Sequence, residues 1–234
     1  VAGTPPRFET RTEISTGAGT HADYRVADFN GDGKLDMAVI SLTGELRVLL
    51  GNGATFNKTQ NEQVDGLPIW MAGGDLDNDG DQDLYVANDF GRNNLYRNEL
   101  VPSGKPGFTD VAAELGVEDI AASMSVDWAD ADNDGHMDLY VGNMWSSAGN
   151  RIAFQQQFKP GSSEQTRQAI QRHARGNSFF KNVPGKPFLD ASEASGLTMG
   201  RWAWGSNFID LNNDGWEDIY VVNGFMSAPD TGDL

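Results

Sequence analysis

Four times along the 234-residue chain, a polar segment dense in Asp, Asn and Gly gives way without a gap to a short apolar run. The runs are Met37 to Ile40, Leu84 to Ala87, Leu139 to Gly142 and Ile219 to Val222. They are apolar at consecutive rather than alternate positions, which predicts strands buried on both faces. Val39, Val86, Val141 and Val221 recur at one place in these runs, and the β-branched and aromatic content favours strand over helix. A Phe stands 19 to 22 residues upstream of each polar segment, at Phe8, Phe56, Phe108 and Phe188, and heads a further extended stretch. Leu46 to Leu50 and Asn94 to Asn98 read as strands between these markers. The predicted unit is four short antiparallel strands over about 45 to 55 residues, an all-β blade of the kind that builds a propeller.

The polar segments begin at Asp28, Asp75, Asp130 and Asp210, so the last interval is the longest. Its extra residues fall between Met144 and Gly176, and Ser162 to Arg175 within them reads as a helix. Ser162 or Ser163 is placed to cap its start and Gly176 to stop it. The chain then divides as one propeller region, 1–234, with blades or remnants at 7–19, 20–66, 67–118, 119–198 and 199–234 and a helical insert at 146–176 in the third blade. Too few blades are present for a large ring, so part of a larger propeller is expected, with four-bladed closure as the other possibility.

Aligned on the first Asp, the four segments read DFNGDGKLD, DLDNDGDQD, DADNDGHMD and DLNNDGWED, which is D-x-[DN]-x-D-G-x-x-D in every copy. Oxygen-bearing side chains at positions 1, 3, 5 and 9, with a main-chain carbonyl at position 7, suit a hard cation that takes six to eight oxygens in irregular geometry. The expected ligands are Asp28, Asn30, Asp32, Lys34 and Asp36; Asp75, Asp77, Asp79, Asp81 and Asp83; Asp130, Asp132, Asp134, His136 and Asp138; and Asp210, Asn212, Asp214, Trp216 and Asp218. Lys34, Asp81, His136 and Trp216 differ so widely that only their carbonyls suit the role. Gly33, Gly80, Gly135 and Gly215 mark the sharp turn. One Ca²⁺ per loop, four in all, is the expectation. An EF-hand loop needs a bidentate Glu at position 12 between helices, whereas here position 12 is Val in all four copies and strands follow. Magnesium prefers a stricter octahedron. The competing structural reading is four Asx turns, but carboxylates packed this closely repel without a counter-ion.

A formal charge of -17 excludes a generic binder of nucleic acid or of anionic membranes, which need surplus Lys and Arg. Fourteen of the 34 acidic side chains sit at the ligand positions, so much of the charge is local chemistry rather than a solvated coat. Cysteine is absent, which removes disulfides, zinc-thiolate sites and thiol catalysis. No apolar stretch reaches membrane-helix length, and Val1 does not open a signal-peptide pattern. There is no G-x-S-x-G, no G-x-x-x-x-G-K-[ST] and no H-E-x-x-H, and His21, His136 and His173 form no motif, so the chain is read as no enzyme. Tryptophans 70, 128, 145, 202, 204 and 216 are expected mostly to pack between blades, with Trp145 and Trp216 as the exceptions.

The four-copy motif and the strand behind it resemble the FG-GAP/VCBS calcium-loop repeats, also found in the integrin α-subunit propeller. FTDVAAELGV and RWAWGSNFIDLNNDGWEDIYVVNG are similar to the cartilage-acidic-protein branch associated with ASPIC/UnbV domains. The resemblance implies a calcium-binding β-propeller outside the cytoplasm, secreted, at the cell surface or periplasmic. Such a module serves as an adhesion or binding scaffold for a protein or glycan ligand; a self-assembling surface subunit and a propeller-based hydrolase are the other functions weighed. From Ser146 to Lys186 the only acid is Glu164, against Arg151, Lys159, Arg167, Arg172, Arg175, Lys181 and Lys186. That basic arm is expected either to face water or to dock on an acidic surface, such as a neighbouring subunit's loops or a separate anionic partner.

Overall fold

The computed structural model describes residues 16, 19–64, 66–100 and 107–223. The expected strand from Phe8 to Ser15 and the segment from Phe225 onward lie outside them. The regular structure of the described chain is mostly strand. A first antiparallel sheet comprises β1 (His21–Ala27), β2 (Asp36–Ser41), β3 (Glu45–Gly51) and β4 (Phe56–Gln63) in sequential order. A second repeats the pattern with β5 (Pro68–Gly74), β6 (Asp83–Asn88), β7 (Asn94–Asn98) and β8 (Phe108–Asp110). The third is formed by β9 (Ser123–Ala129), β10 (Asp138–Asn143), β11 (Ser178–Lys181) and β12 (Leu189–Asp190). A fourth, two-stranded sheet pairs β13 (Ala203–Ile209) with β14 (Asp218–Asn223).

The sheets stack side by side through their first strands, β1 against β5, β5 against β9 and β9 against β13. This is how successive propeller blades pack, and it explains the consecutive apolar positions. In β6, Leu84 and Val86 enter the core shared with the first sheet, where they meet Ala38, Ile40, Leu46 and Met71. Tyr85 and Ala87, on the opposite pleat, enter the core shared with the third sheet, beside Val126, Leu139, Val141 and Phe180. A strand alternates faces at every residue, so burial of both faces demands apolar residues at every position. Tyr85 meets Trp128 edge-on at 6.1 Å, and Tyr140 meets Phe208 in the same way at 6.2 Å. Each pair joins the second strand of one sheet to the first strand of the next. Tyr220 occupies the corresponding place in β14 and is 55% exposed.

Close approach of the third and fourth sheets depends on Gly142. A Cβ there would lie 2.3 Å from Ser125 Oγ and 3.2 Å from Ala203 O. Ser125 Oγ is buried and shares a 2.8 Å hydrogen bond with Ser206 Oγ across the same boundary.

Two helices fill the long interval, α1 (Ser147–Ala153) and α2 (Glu164–Arg175). Ser163 caps α2 by accepting from Thr166 N, and Gly176 follows it at φ 102°. The sequence pattern did not announce α1, whose residues carry little apolar periodicity. Three cations of the basic arm are engaged within the chain, Lys181 with Asp132 and two arginines with other acids. Arg172 Nε donates to Asp119 Oδ1 (3.1 Å) and its Nη1 to Asp190 Oδ2 (2.9 Å), with the guanidinium 5.3 Å from the Phe180 ring centre. Arg175 Nη1 donates to the same Asp190 oxygen at 2.8 Å. Burial raises the Asp190 pKa, but Ser192 and the two arginines outweigh it and hold the carboxyl below its usual range. No helix among the described residues is long and apolar enough to cross a membrane.

Of the tryptophans expected to pack between blades, Trp128 packs against the core, whereas Trp70, Trp202 and Trp204 are substantially exposed; Trp216, expected as an exception, is exposed as well. Trp216 stands on a loop, and Trp204 lies in β13 at the register shift between Ala203 and Gly205.

Candidate metal centres

Each Asp-rich loop joins the first strand of a sheet to the second, and all four fold by the same hydrogen bonds. The position 1 carboxylate accepts from the backbone N–H groups of positions 5 and 6. Asp75 takes Asp79 N and Gly80 N at 3.1 Å each, and Asp130 takes Asp134 N and Gly135 N at 2.8 Å each. Asp28 and Asp210 hold the equivalent pairs, Asp32 with Gly33 and Asp214 with Gly215. The position 5 carboxylate then accepts from N–H at position 7, at 2.9 Å for Lys34, 3.1 Å for Asp81, 3.0 Å for His136 and 2.9 Å for Trp216. Gly80 sits at φ 95° and Gly135 at φ 86°, a region where a side chain brings strain.

Position 9 does structural work that the spacing did not disclose. Asp83 accepts from Leu76 N (2.8 Å) on one oxygen and from Asn98 N (2.7 Å) on the other, fastening the loop to β7. Asp36 does the same with Phe29 N (2.9 Å) and Gly51 N (2.7 Å), and Asp138 takes Asn182 N at 2.8 Å. Asp218 accepts from Leu211 N at 3.2 Å. Asp36, Asp83 and Asp138 are carboxylates withdrawn from water, with consequences for their protons. Burial, reinforced by Asp77 and Asp81, pushes Asp83 up to about 8; burial together with Asp132 and Asp134 pushes Asp138 up to about 6. Asp36 and Asp77 are raised as well, first by burial and then by neighbouring carboxylates.

Oxygens of Asp75, Asp77 and Asp83 lie within 4.8 Å of one another, and so do oxygens of Asp130, Asp132 and Asp134. An ion holding each oxygen at about 2.4 Å allows no pair to be more than about 4.8 Å apart, so both trios fit a calcium shell. The buried Oδ1 of Asp132 has no hydrogen-bond partner, which suits a cation as its complement. Sequence reasoning missed the basic residue that precedes the third-strand anchor. Lys181 contacts Asp132 in the third unit, and Arg97 lies close enough to Asp77 to act on its charge in the second. Lys34 pairs with Asp32 at 3.1 Å in loop 1. Asn212 and Asp214 face solvent on loop 4, where Trp216 is 53% exposed at position 7, and Asn30 of loop 1 is half-buried.

No curated protein matches the chain. Among solved structures, the crystal structure of BBS1N in complex with ARL6DN, soaked with lead, is similar at a TM-score of 0.45 and 13% identity. The alignment covers 82% of this chain and 49% of that one, so the chain spans about half the length of the structure it matches. Residues 75–141, from the first position of loop 2 to the strand behind loop 3, match the family of FG-GAP-like repeats.

Proposed function

We propose that the chain is a calcium-binding β-propeller module of FG-GAP type, with one ion in each of its four loops. It serves as a binding scaffold for a protein or glycan ligand rather than as an enzyme. The observation that carries this reading is the identical hydrogen-bond frame of four loops, each presenting acidic or amide oxygens at positions 1, 3 and 5. Asx turns alone require one side-chain oxygen per turn, whereas loops 2 and 3 each converge three carboxylates. Calcium supplies the positive charge that lets these groups stay ionised side by side. The loops are largely open to solvent, which suits the weak, millimolar calcium affinities of extracellular modules and favours a site of action outside the cytoplasm. Asp79→Ala and Asp134→Ala should each lower the calcium stoichiometry by one without emptying the other loops. Titration calorimetry on protein stripped with chelator decides it, and two or fewer ions on the unsubstituted chain would overturn the four-site reading.

A further inference from the structure

The loops are tied to one another as well as to their own sheets. Asn78, at position 4 of loop 2, donates from Nδ2 to Gly135 O at position 6 of loop 3 (2.9 Å) and lies 2.9 Å from His136 Nδ1. Asn133, at position 4 of loop 3, donates to Gly215 O of loop 4 at 3.1 Å. Both stand in the left-handed region, at φ 59° and 57°, as does Asn213 of loop 4 at 58°. That backbone conformation is set by the curl of the loop itself, and Asn is among the few side chains that accept it. The anchors behind the loops add a second set of ties. Asn98 Nδ2 of the second unit donates to Phe29 O of loop 1 (2.9 Å), and Asn182 Nδ2 of the third donates to Leu76 O of loop 2 (3.1 Å).

The receiving peptide is the one that matters for a bound ion. The Gly135–His136 peptide gives its C=O to Asn78 and its N–H to Asp134 Oδ1, the position 5 ligand; Gly215–Trp216 gives its C=O to Asn133 and its N–H to Asp214 Oδ1. Fixing one side of that peptide orients the carboxylate on its other side and the position 7 carbonyl next along the chain. Resting on the calcium reading above, we infer that Asn78 and Asn133 are positioning residues that couple neighbouring metal sites, so that an ion in one loop strengthens binding in the next. Curling loop 3 around its ion presents Asn133 to loop 4, and by linkage an ion in loop 4 favours the curled loop 3 in return. Loop 1 carries Gly31 at position 4 and sends no such bond to loop 2; its tie runs through Asn98 instead.

Trp216, at position 7 of loop 4, makes the test site-specific, because its indole sensitises the luminescence of Tb³⁺ bound in its own loop. Trp216→Phe identifies the share of the signal that comes from that site. Tb³⁺ is titrated into the stripped protein and into Asp134→Ala, in which loop 3 is broken, and both are repeated with Asn133→Gly added. Glycine keeps the left-handed backbone and removes only the amide; a melting curve in chelator checks that each variant is folded. Asp134→Ala should weaken Tb³⁺ at loop 4 by about fivefold or more while Asn133 is present, the low end of measured couplings. It should have no effect once Asn133→Gly is in place, and Asn133→Gly alone should weaken loop 4. Equal weakening in both backgrounds, or none in either, overturns the coupling while leaving the metal sites standing. Absence of any Trp216-dependent Tb³⁺ signal in the unsubstituted protein removes the metal reading, and the coupling with it.

Discussion

Arg172 ties the insert to two acids of the neighbouring segments, Asp119 and Asp190. Its partner Asp119 is fully buried, and Asn143 Nδ2 serves the other carboxylate oxygen at 3.0 Å, so among the described residues the guanidinium is the counter-charge drawn up to it by a hydrogen bond. Removing one member of such a pair leaves a buried charge uncompensated, which costs more than the pair itself contributes. Arg172→Met should therefore destabilise the protein by about 3 kcal/mol, read by urea denaturation. Asp119→Asn added to it should recover part of the loss, because the neutral amide no longer needs a cation. A loss no larger in Arg172→Met than in an exposed control such as Arg151→Met would show that α2 rests on the surface without holding it.

At the scale of the element, the boundary between β10 and β13 is tightly fitted. Gly142→Ala places a methyl group against Ser125 Oγ and the Ala203 backbone, neither of which can retreat without breaking the Ser125–Ser206 bond or moving the strand. Overpacking of this kind should cost about 2 kcal/mol, whereas Gly205→Ala in the facing strand, with no contact closer than 3.9 Å, should be nearly silent. Denaturation midpoints of the two variants measured side by side check this. The strands themselves were legible in the sequence. Leu84 to Ala87 and Leu139 to Gly142 are apolar at every position because each pleat faces a different neighbour. The helix at Glu164–Arg175 was legible too, since Ser163 and Gly176 carry the signals at its two ends. What the sequence withheld were relations between units. Asp36 and Asp83 recur at position 9 like the other acids, and only the folded chain reveals that their oxygens grip the third strand. Asn78 and Asn133 read as ordinary loop residues until the next loop is laid beside them. A repeat records what each unit does for itself; its contacts across a boundary depend on residues 57 to 106 positions away.

At the scale of the molecule, the two cores lie between sheets rather than within them, and that location governs how the protein comes apart. The second and third sheets each give one pleat to either neighbour, so Tyr85 and Tyr140 are covered, while Tyr220 and Val222 of β14 and Tyr24 and Val26 of β1 stand exposed. Stability in such a row is a sum of unit and boundary terms, and a unit held on one side opens before one held on both. Native-state hydrogen exchange should find the amides of β6 and β10 slowest and those of β13 and β14 fastest, with uniform protection across all four sheets as the contrary result. Under a pulling force or on slow heating, the described array should then part at the boundaries between its sheets before any one sheet melts, like books drawn one at a time from a packed shelf.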